Sequence, residues 1–369
     1  MFSLTKPVIV AAVLAVGLVG LSGCEKKQEN QAAAPAAATK PADPLVAQAA
    51  AVFAPLPDSP PALEGNPATE AKVSLGKMLF LDPRLSKSQL ISCNSCHNLG
   101  LAGADLQATS TGHKWQQGPR NAPTAMNAVF HVAQFWDGRA KDLEAQAKGP
   151  VQAGVEMGNT PAQVEATLKS IPGYVAAFGK AFEGQPDPVS FDNMAKAIAV
   201  FEATLITPSR FDQFLKGDAA ALNTEEKAGL TLFMDKGCSS CHNGIGVGGG
   251  AYFKFGVVNA PAPEIRPLAD KGRMNVTKDP ADEYVFRVPT LRNIELTGPY
   301  FHSGKVTELG KAVEVMANVQ LGLTLTEPEK SSILAFLKSL TGEQPKVEYP
   351  VLPGSTSTTP LPNLDLAAK

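Results

Sequence analysis

Residues 92–100 read SCNSCHNLG, and residues 237–246 read GCSSCHNGIG. Each holds Cys-x-x-Cys-His: Cys93, Cys96 and His97 in the first, Cys238, Cys241 and His242 in the second. Two thiols at this spacing can take the vinyl groups of a haem as thioethers. The histidine that follows reaches the iron from the same face, which is the pattern of c-type haem attachment. The competing readings are two redox dithiols or one split zinc site. Both pairs carry the histidine, and together they use every cysteine except Cys24, which favours two covalently bound haem c groups.

Outward from the motifs, KMLFLDPRLSKSQLISCNSCHNLG can be laid over GLTLFMDKGCSSCHNGIG. Both put a Leu-Phe pair, Leu79-Phe80 and Leu232-Phe233, on a helix shortly before the cysteines, so the chain reads as an internal repeat. The expected fold is mainly α: two cytochrome c-like helical domains with long structured loops, each around one haem. Expected helices cover 67–80, a stretch from Thr160 as cap and Pro161 at N1 that Pro172 breaks or kinks, and 191–205 behind Ser190. Others follow over 307–318 and from Thr326 to about Leu340, where Ile333, Phe336, Leu337 and Leu340 recur at helical spacing. Long runs of alternating β-branched residues are missing, which argues against a sheet protein.

Of 369 residues, 44% are hydrophobic, and the net charge is −2. Cores are affordable at that composition, and the charge gives no nucleic-acid footprint. Lys6, the apolar run over 8–21 and Leu21-Ser22-Gly23-Cys24 read as an export signal with a lipoprotein-type cleavage box. The expectation is a signal peptide over 1–23, a lipid on Cys24, and a flexible Ala/Pro-rich tether over 24–61. An N-terminal domain over 62–214, a C-terminal domain over 215–345 and a tail over 346–369 complete the division. The body would then lie in the periplasm, touching a membrane only through the lipid.

The residues between the motifs supply candidate chemistry. His113 lies in a polar loop that could fold over the first haem; His131, between Phe130 and Val132, reads as a packed or capping residue. Glu144, Gln146 and Glu156 are an acid/base supply for a reactive first haem, which needs a proton carrier and a stabilising dipole. For the second haem, Met274, His302 and Met316 are all downstream candidates, and a methionine ligand would raise its potential.

With those residues in view, the chain resembles the bacterial di-haem cytochrome c peroxidases over roughly residues 63–343. Beyond the two motifs, the matching pieces are STGH at 110–113, GPRNAPTAMNAVF at 118–130 and FWDGRA at 135–140. GPVQAGVEM at 149–157 and LRNIELTGPYFHSG at 291–304 complete them. The resemblance implies reduction of hydrogen peroxide to water, with electrons from a small c-type cytochrome or a cupredoxin. It implies His97 as proximal ligand of the peroxidatic low-potential haem, His113 as its displaceable distal ligand, and Glu156 as acid/base with Gln146 beside it. His242 and Met316 would ligate the high-potential haem, supported by His302, and Trp136 would lie on the electron path between haems. One calcium ion would sit on Asn121 and the carbonyls of Thr297 and Pro299, and the protein would be a homodimer. The rivals are a related di-haem enzyme that oxidises a protein substrate, which carries tyrosine in place of that methionine, and a non-catalytic di-haem electron shuttle.

Overall fold

In two places a glycine lets one helix lie directly on the backbone of another, and each crossing stands before one of the Cys-x-x-Cys-His motifs. The structure, a computed structural model, describes residues 43–364, all within one compact unit, Ala42–Lys369. Its helices are α1 Pro44–Ala50, α2 Glu70–Leu81, α3 Cys93–Cys96, α4 Leu143–Gln152, α5 Pro161–Lys169 and α6 Pro172–Ala181. They continue as α7 Phe191–Glu202, α8 Arg210–Leu215, α9 Thr224–Asp235, α10 Met274–Thr277, α11 Leu309–Leu321 and α12 Glu327–Ser339. Two three-residue strands, β1 Tyr252–Lys254 and β2 Val285–Arg287, form an antiparallel pair. The expectation of a mainly helical fold holds, and the helix expected after Thr160 is split into α5 and α6 at Pro172.

Helix α2 crosses α7, and α9 crosses α12. A Cβ on Gly76 would overlap the Ala197 carbonyl and lie 2.8 Å from Phe201 Cβ; one on Gly229 would overlap the Ser332 carbonyl and lie 2.9 Å from Phe336 Cβ. Four residues beyond each glycine a phenylalanine fills the crossing. Phe80 meets Phe201 with ring centroids 5.4 Å apart, and Phe233 meets Phe336 at 5.2 Å. Such ring pairs add about 0.5–1.5 kcal/mol to the burial of their apolar area. Side-chain caps start these helices: Thr69 for α2, Ser190 for α7, and reciprocal boxes Asn223/Glu226 for α9 and Thr326/Glu329 for α12.

The α2–α7 crossing anchors one apolar core with Leu75, Leu79, Tyr174, Phe178 and Ile198; the α9–α12 crossing anchors a second with Phe211, Phe214, Leu230, Ile333 and Leu337. The chain ends depart from expectation. The tether expected over 24–61 is not free throughout: α1 is capped by Asp43, and Ala49, Phe53 and Leu56 are buried. Pro44 at N1 and the apolar spacing of Leu45, Ala49 and Phe53 make this segment a helix that docks, despite its Ala/Pro composition. It docks on the second core, where Phe53 bridges to Gly244 behind the second motif. Helix α8 also packs there, although the expected boundary left it in the first domain. The expected tail runs the other way. Val347 packs on the first core, Thr356 Oγ1 donates to the Ser170 carbonyl, and Asn363 N donates to the Lys87 carbonyl. The signal segment and Cys24 lie outside the described residues.

Candidate haem and peroxide site

Each Cys-x-x-Cys-His motif opens onto its own cavity. The first, about 550 Å³, is walled by Cys96, His97, Gln146, Pro150 and Glu156. Asp142 caps α4 and so fixes the turn that aims Gln146 and Pro150, one helical turn apart, at the same wall. Behind α4 the chain turns through Ala153, whose carbonyl accepts from Glu156 N at 2.9 Å, and this brings the Glu156 carboxyl to the cavity. Burial pushes that carboxyl above its ordinary pKa, and the Arg139 charge only partly offsets it. Burial also holds His97 below its usual value, so its imidazole is neutral and able to ligate a metal.

His113 is not in this wall. Its ring packs against Gly158, whose Cβ position lies 2.8 Å from His113 Cδ2, and its backbone N–H donates to the Glu156 carbonyl at 2.7 Å. Glu144 is turned away too, its carboxylate accepting from Asn66 Nδ2 at 2.9 Å.

The second cavity, about 210 Å³, is lined by Cys238, Cys241 and His242 on one side and by Met316 of α11 on another. Its wall is mostly apolar, with Phe233, Leu291, Leu309 and Val313 among its members. Met274 sits in α10, outside the wall; His302 is in it, stacked on Phe286 at 4.3 Å. Of the three candidates left open by sequence, Met316 and His302 therefore reach this cavity and Met274 does not. Burial lowers His242 to about 4 and His302 to about 4, with Asp270 pulling His302 the other way.

Asn121, Ala122, Pro123, Thr124 and Trp136 line both cavities. Trp136 is fixed there by its Nε1, which donates to the Asn121 carbonyl at 2.9 Å, and its ring stands edge-on to His302 with centroids 6.1 Å apart. Thr297 and Pro299 lie in the second wall with Asn121, whose Nδ2 donates to the Gln107 carbonyl. The two halves are tied near this wall by Arg120, which bonds Asp270 at 2.6 Å and Asp137 at 2.7 Å.

The residues fit two haems better than the alternatives. Burial raises Cys96 and Cys238 to about 11 and raises Cys93 and Cys241 as well, the opposite of the acidic thiols of redox pairs. Among the described residues no three His, Cys, Asp or Glu side chains cluster as a metal cage. What remains is an imidazole and two thiols at the wall of a mostly apolar second cavity, and Cys96 with His97, next to the buried Cys93 thiol, at the first.

Sequence reasoning missed two cavity residues. Glu202 ends α7 in the first wall, fully buried, with Oε2 unpartnered, and burial raises its carboxyl to about 8. Its position one turn beyond Ile198, on the apolar face, was the available signal. Arg287 lines the second cavity at 2% exposure; nothing in RVPTLRN marks it as buried.

A family model described as di-haem cytochrome c peroxidase matches residues 70–220. The cytochrome c551 peroxidase of Pseudomonas aeruginosa is 59% identical over 322 residues, spanning 87% of this chain and 93% of that protein. The cytochrome c551 peroxidase of Nitrosomonas europaea is 52% identical, spanning 80% and 87%. Among solved structures, a MauG-like protein associated with microbial copper homeostasis superposes with a TM-score of 0.69 at 30% identity, covering 78% of this chain and 95% of that one. With both motifs, both cavities and this degree of likeness together, the chain belongs to the di-haem cytochrome c peroxidase family.

Proposed function

We propose that the protein reduces hydrogen peroxide to two waters at the first cavity, using two electrons delivered one at a time through the second. The reading is carried by one arrangement: two Cys-x-x-Cys-His cavities share a wall at Trp136, and only the first is lined by glutamates whose carboxyls burial raises. Cys93, Cys96 and His97 would hold one haem, and Cys238, Cys241, His242 and Met316 the other. When bound, the haems supply peroxide binding and electron carriage. Glu156 holds the proton that must move between peroxide oxygens, and Gln146, on the same wall, offers an amide dipole to the charge that develops. Trp136 spans the gap between the cavities, and His302 orders the wall beside it.

His113 is the displaceable distal ligand in this scheme. Its loop is tied to Glu156 through the backbone, so seating His113 on the first iron and baring Glu156 are alternative settings of one segment. Reduction of the second haem, with one calcium ion on Asn121, Thr297 and Pro299, would favour the bared setting; Ca²⁺ takes such side-chain and backbone oxygens. The electron donor is a small c-type cytochrome or a cupredoxin, and the working form is a homodimer. The periplasm, with a lipid on Cys24, is the proposed location; no helix among the described residues is long and apolar enough to cross a membrane. Met316 in the second wall favours this activity over oxidation of a protein substrate.

The test is Glu156→Gln in the purified holoprotein. Both haem spectra are expected unchanged, with peroxide turnover lower by about 10²–10⁴-fold, the usual contribution of a placed acid/base. Near-normal turnover would return Glu156 to a half-buried bystander.

A further inference from the structure

Buried guanidinium groups come with anions because stripping water from an uncompensated charge costs several kcal/mol. Arg292 and the mostly buried Arg120 obey, whereas Arg266, 8% exposed and also without a carboxylate, lays its guanidinium over the Tyr284 ring at 4.0 Å. Arg292, fully buried, holds both oxygens of Asp212 at 2.9 Å, and Arg120 holds Asp270 and Asp137. Arg287 does not. It is 2% exposed and makes no ion pair among the described residues; its two side-chain bonds, to the carbonyls of Phe135 and Val288, are both long at 3.3 Å. Its own backbone is firmly placed as the last residue of β2, donating to the Trp136 carbonyl at 2.8 Å. Burial alone lowers it to about 10, with Tyr252 the one charge-bearing neighbour that works to keep it protonated.

A second basic group lines the same cavity. His131 reaches across to the loop behind the second motif, close against Gly249, and both its ring nitrogens are buried without a partner. Burial and the Arg287 charge both push it down, so the ring is neutral and has one N–H to give. An isolated cation and an idle donor thus face a cavity that is otherwise mostly apolar. The anion that completes them must arrive with the occupant. A haem attached through Cys238 and Cys241 brings two carboxylates, its propionates.

We infer that Arg287, with His131 beside it, is the binding site for a propionate carboxylate of the second haem, and that this cation holds that haem's potential up. The inference rests on the second cavity being a haem site. A positive charge beside the macrocycle disfavours the oxidised iron, and one bonded to the propionate keeps the carboxylate ionised, so the potential does not follow pH. Besides His131, the cavity is lined by the basic side chains of His242, His302, Lys236 and Lys254, and Tyr252 sits opposite Arg287 on the neighbouring strand.

The test is a redox titration of the second haem in full-length holoprotein at about pH 6 and pH 8, for wild type, Arg287→Lys and Arg287→Gln, with haem content measured in each. Wild type and Arg287→Lys are expected to give nearly pH-independent potentials. Arg287→Gln should shift the reduced-to-oxidised ratio at fixed poise by tenfold or more toward oxidised, about 59 mV for a one-electron couple, and should make the potential rise as pH falls. An unaltered potential and pH profile in Arg287→Gln with two haems bound would overturn the assignment. Should Arg287→Gln load poorly, redox-difference infrared spectra of the wild type decide. Second-haem propionate bands that remain ionised at pH 6 support the pair, and a protonated carboxyl band there refutes it. Wild type with no haem on Cys238 and Cys241 would instead defeat the haem reading itself, which haem content reports separately.

Discussion

Two glutamates face the first cavity alongside Asp137 and Asp270, and burial acts on the two glutamates to different depths. Glu156 is half-buried, and burial raises its carboxyl while the Arg139 charge tempers the shift. Glu202 is fully buried, and its carboxyl is raised to about 8. The folded state thus binds the Glu202 proton more tightly than the unfolded chain does. Its contribution to stability is whole below the ordinary glutamate pKa and is lost as pH rises through about 8. Glu202→Gln should therefore flatten the fall in melting temperature between about pH 5 and pH 8.5, by at least about 2 °C at the alkaline end; parallel pH profiles for the two proteins would show that the site is wetter than its geometry indicates. Met316 separates the rival functions. Met316→His should retain both haems and lower the second potential, because imidazole favours the oxidised iron more than thioether does. Loss of a near-infrared methionine-to-iron band in the variant is the readout, and its survival would mean that another residue is the ligand.

At the scale of elements, the segment around His113 is bolted to the turn after α4. Gly112 lies so close that a Cβ there would overlap the Val155 carbonyl and sit 2.6 Å from the Glu156 carbonyl, and the next residue donates its N–H to that same Glu156 carbonyl. The two segments are joined through this backbone contact, so coupled movement of His113 and Glu156 is expected. Gly112→Ala should pry them apart. The expected outcome is a changed spin state of the first haem in the oxidised protein and loss of turnover, with the second haem's spectrum untouched. An oxidised spectrum identical to wild type would show that the two segments move independently.

At the scale of the molecule, the ends cross. Helix α1 and Phe53, at the start of the described chain, pack on the second core, and the tail from Val347 to Asn363 lies along the first. Together with the Arg120–Asp270 pair, these contacts brace the halves, so the shared wall at Trp136 does not rely on its own contacts for its shape. Calcium bound to Asn121 and to the Thr297 and Pro299 carbonyls would add a joint at that wall. Chelation is therefore expected to delay or abolish the five-coordinate signal of the first haem after one-electron reduction. A half-reduced spectrum indifferent to chelator would remove calcium from the switch.

Much of this was legible one residue at a time. The Cys-x-x-Cys-His pairs, the caps at Thr160, Ser190 and Thr326, and the Leu-Phe repeat are local signals, because thioether spacing, helix capping and helical period all act within a few residues. Helix α1 was legible too, in Asp43-Pro44 and the spacing of its apolar residues, but composition masked it. What the sequence could not determine is which distant groups share a wall. By chemistry alone Met274 and Met316 are equal as ligands; the family resemblance favours Met316, and the packing of α11 brings Met316 and not Met274 to the second cavity. Glu202 and Arg287 read as ordinary surface charges until folding strips their water, and Arg287 is left without an anion only because no carboxylate from any other segment arrives beside it. Burial and pairing across long sequence separations are properties of the folded chain, so the places of Glu202 and Arg287 came from tertiary structure alone.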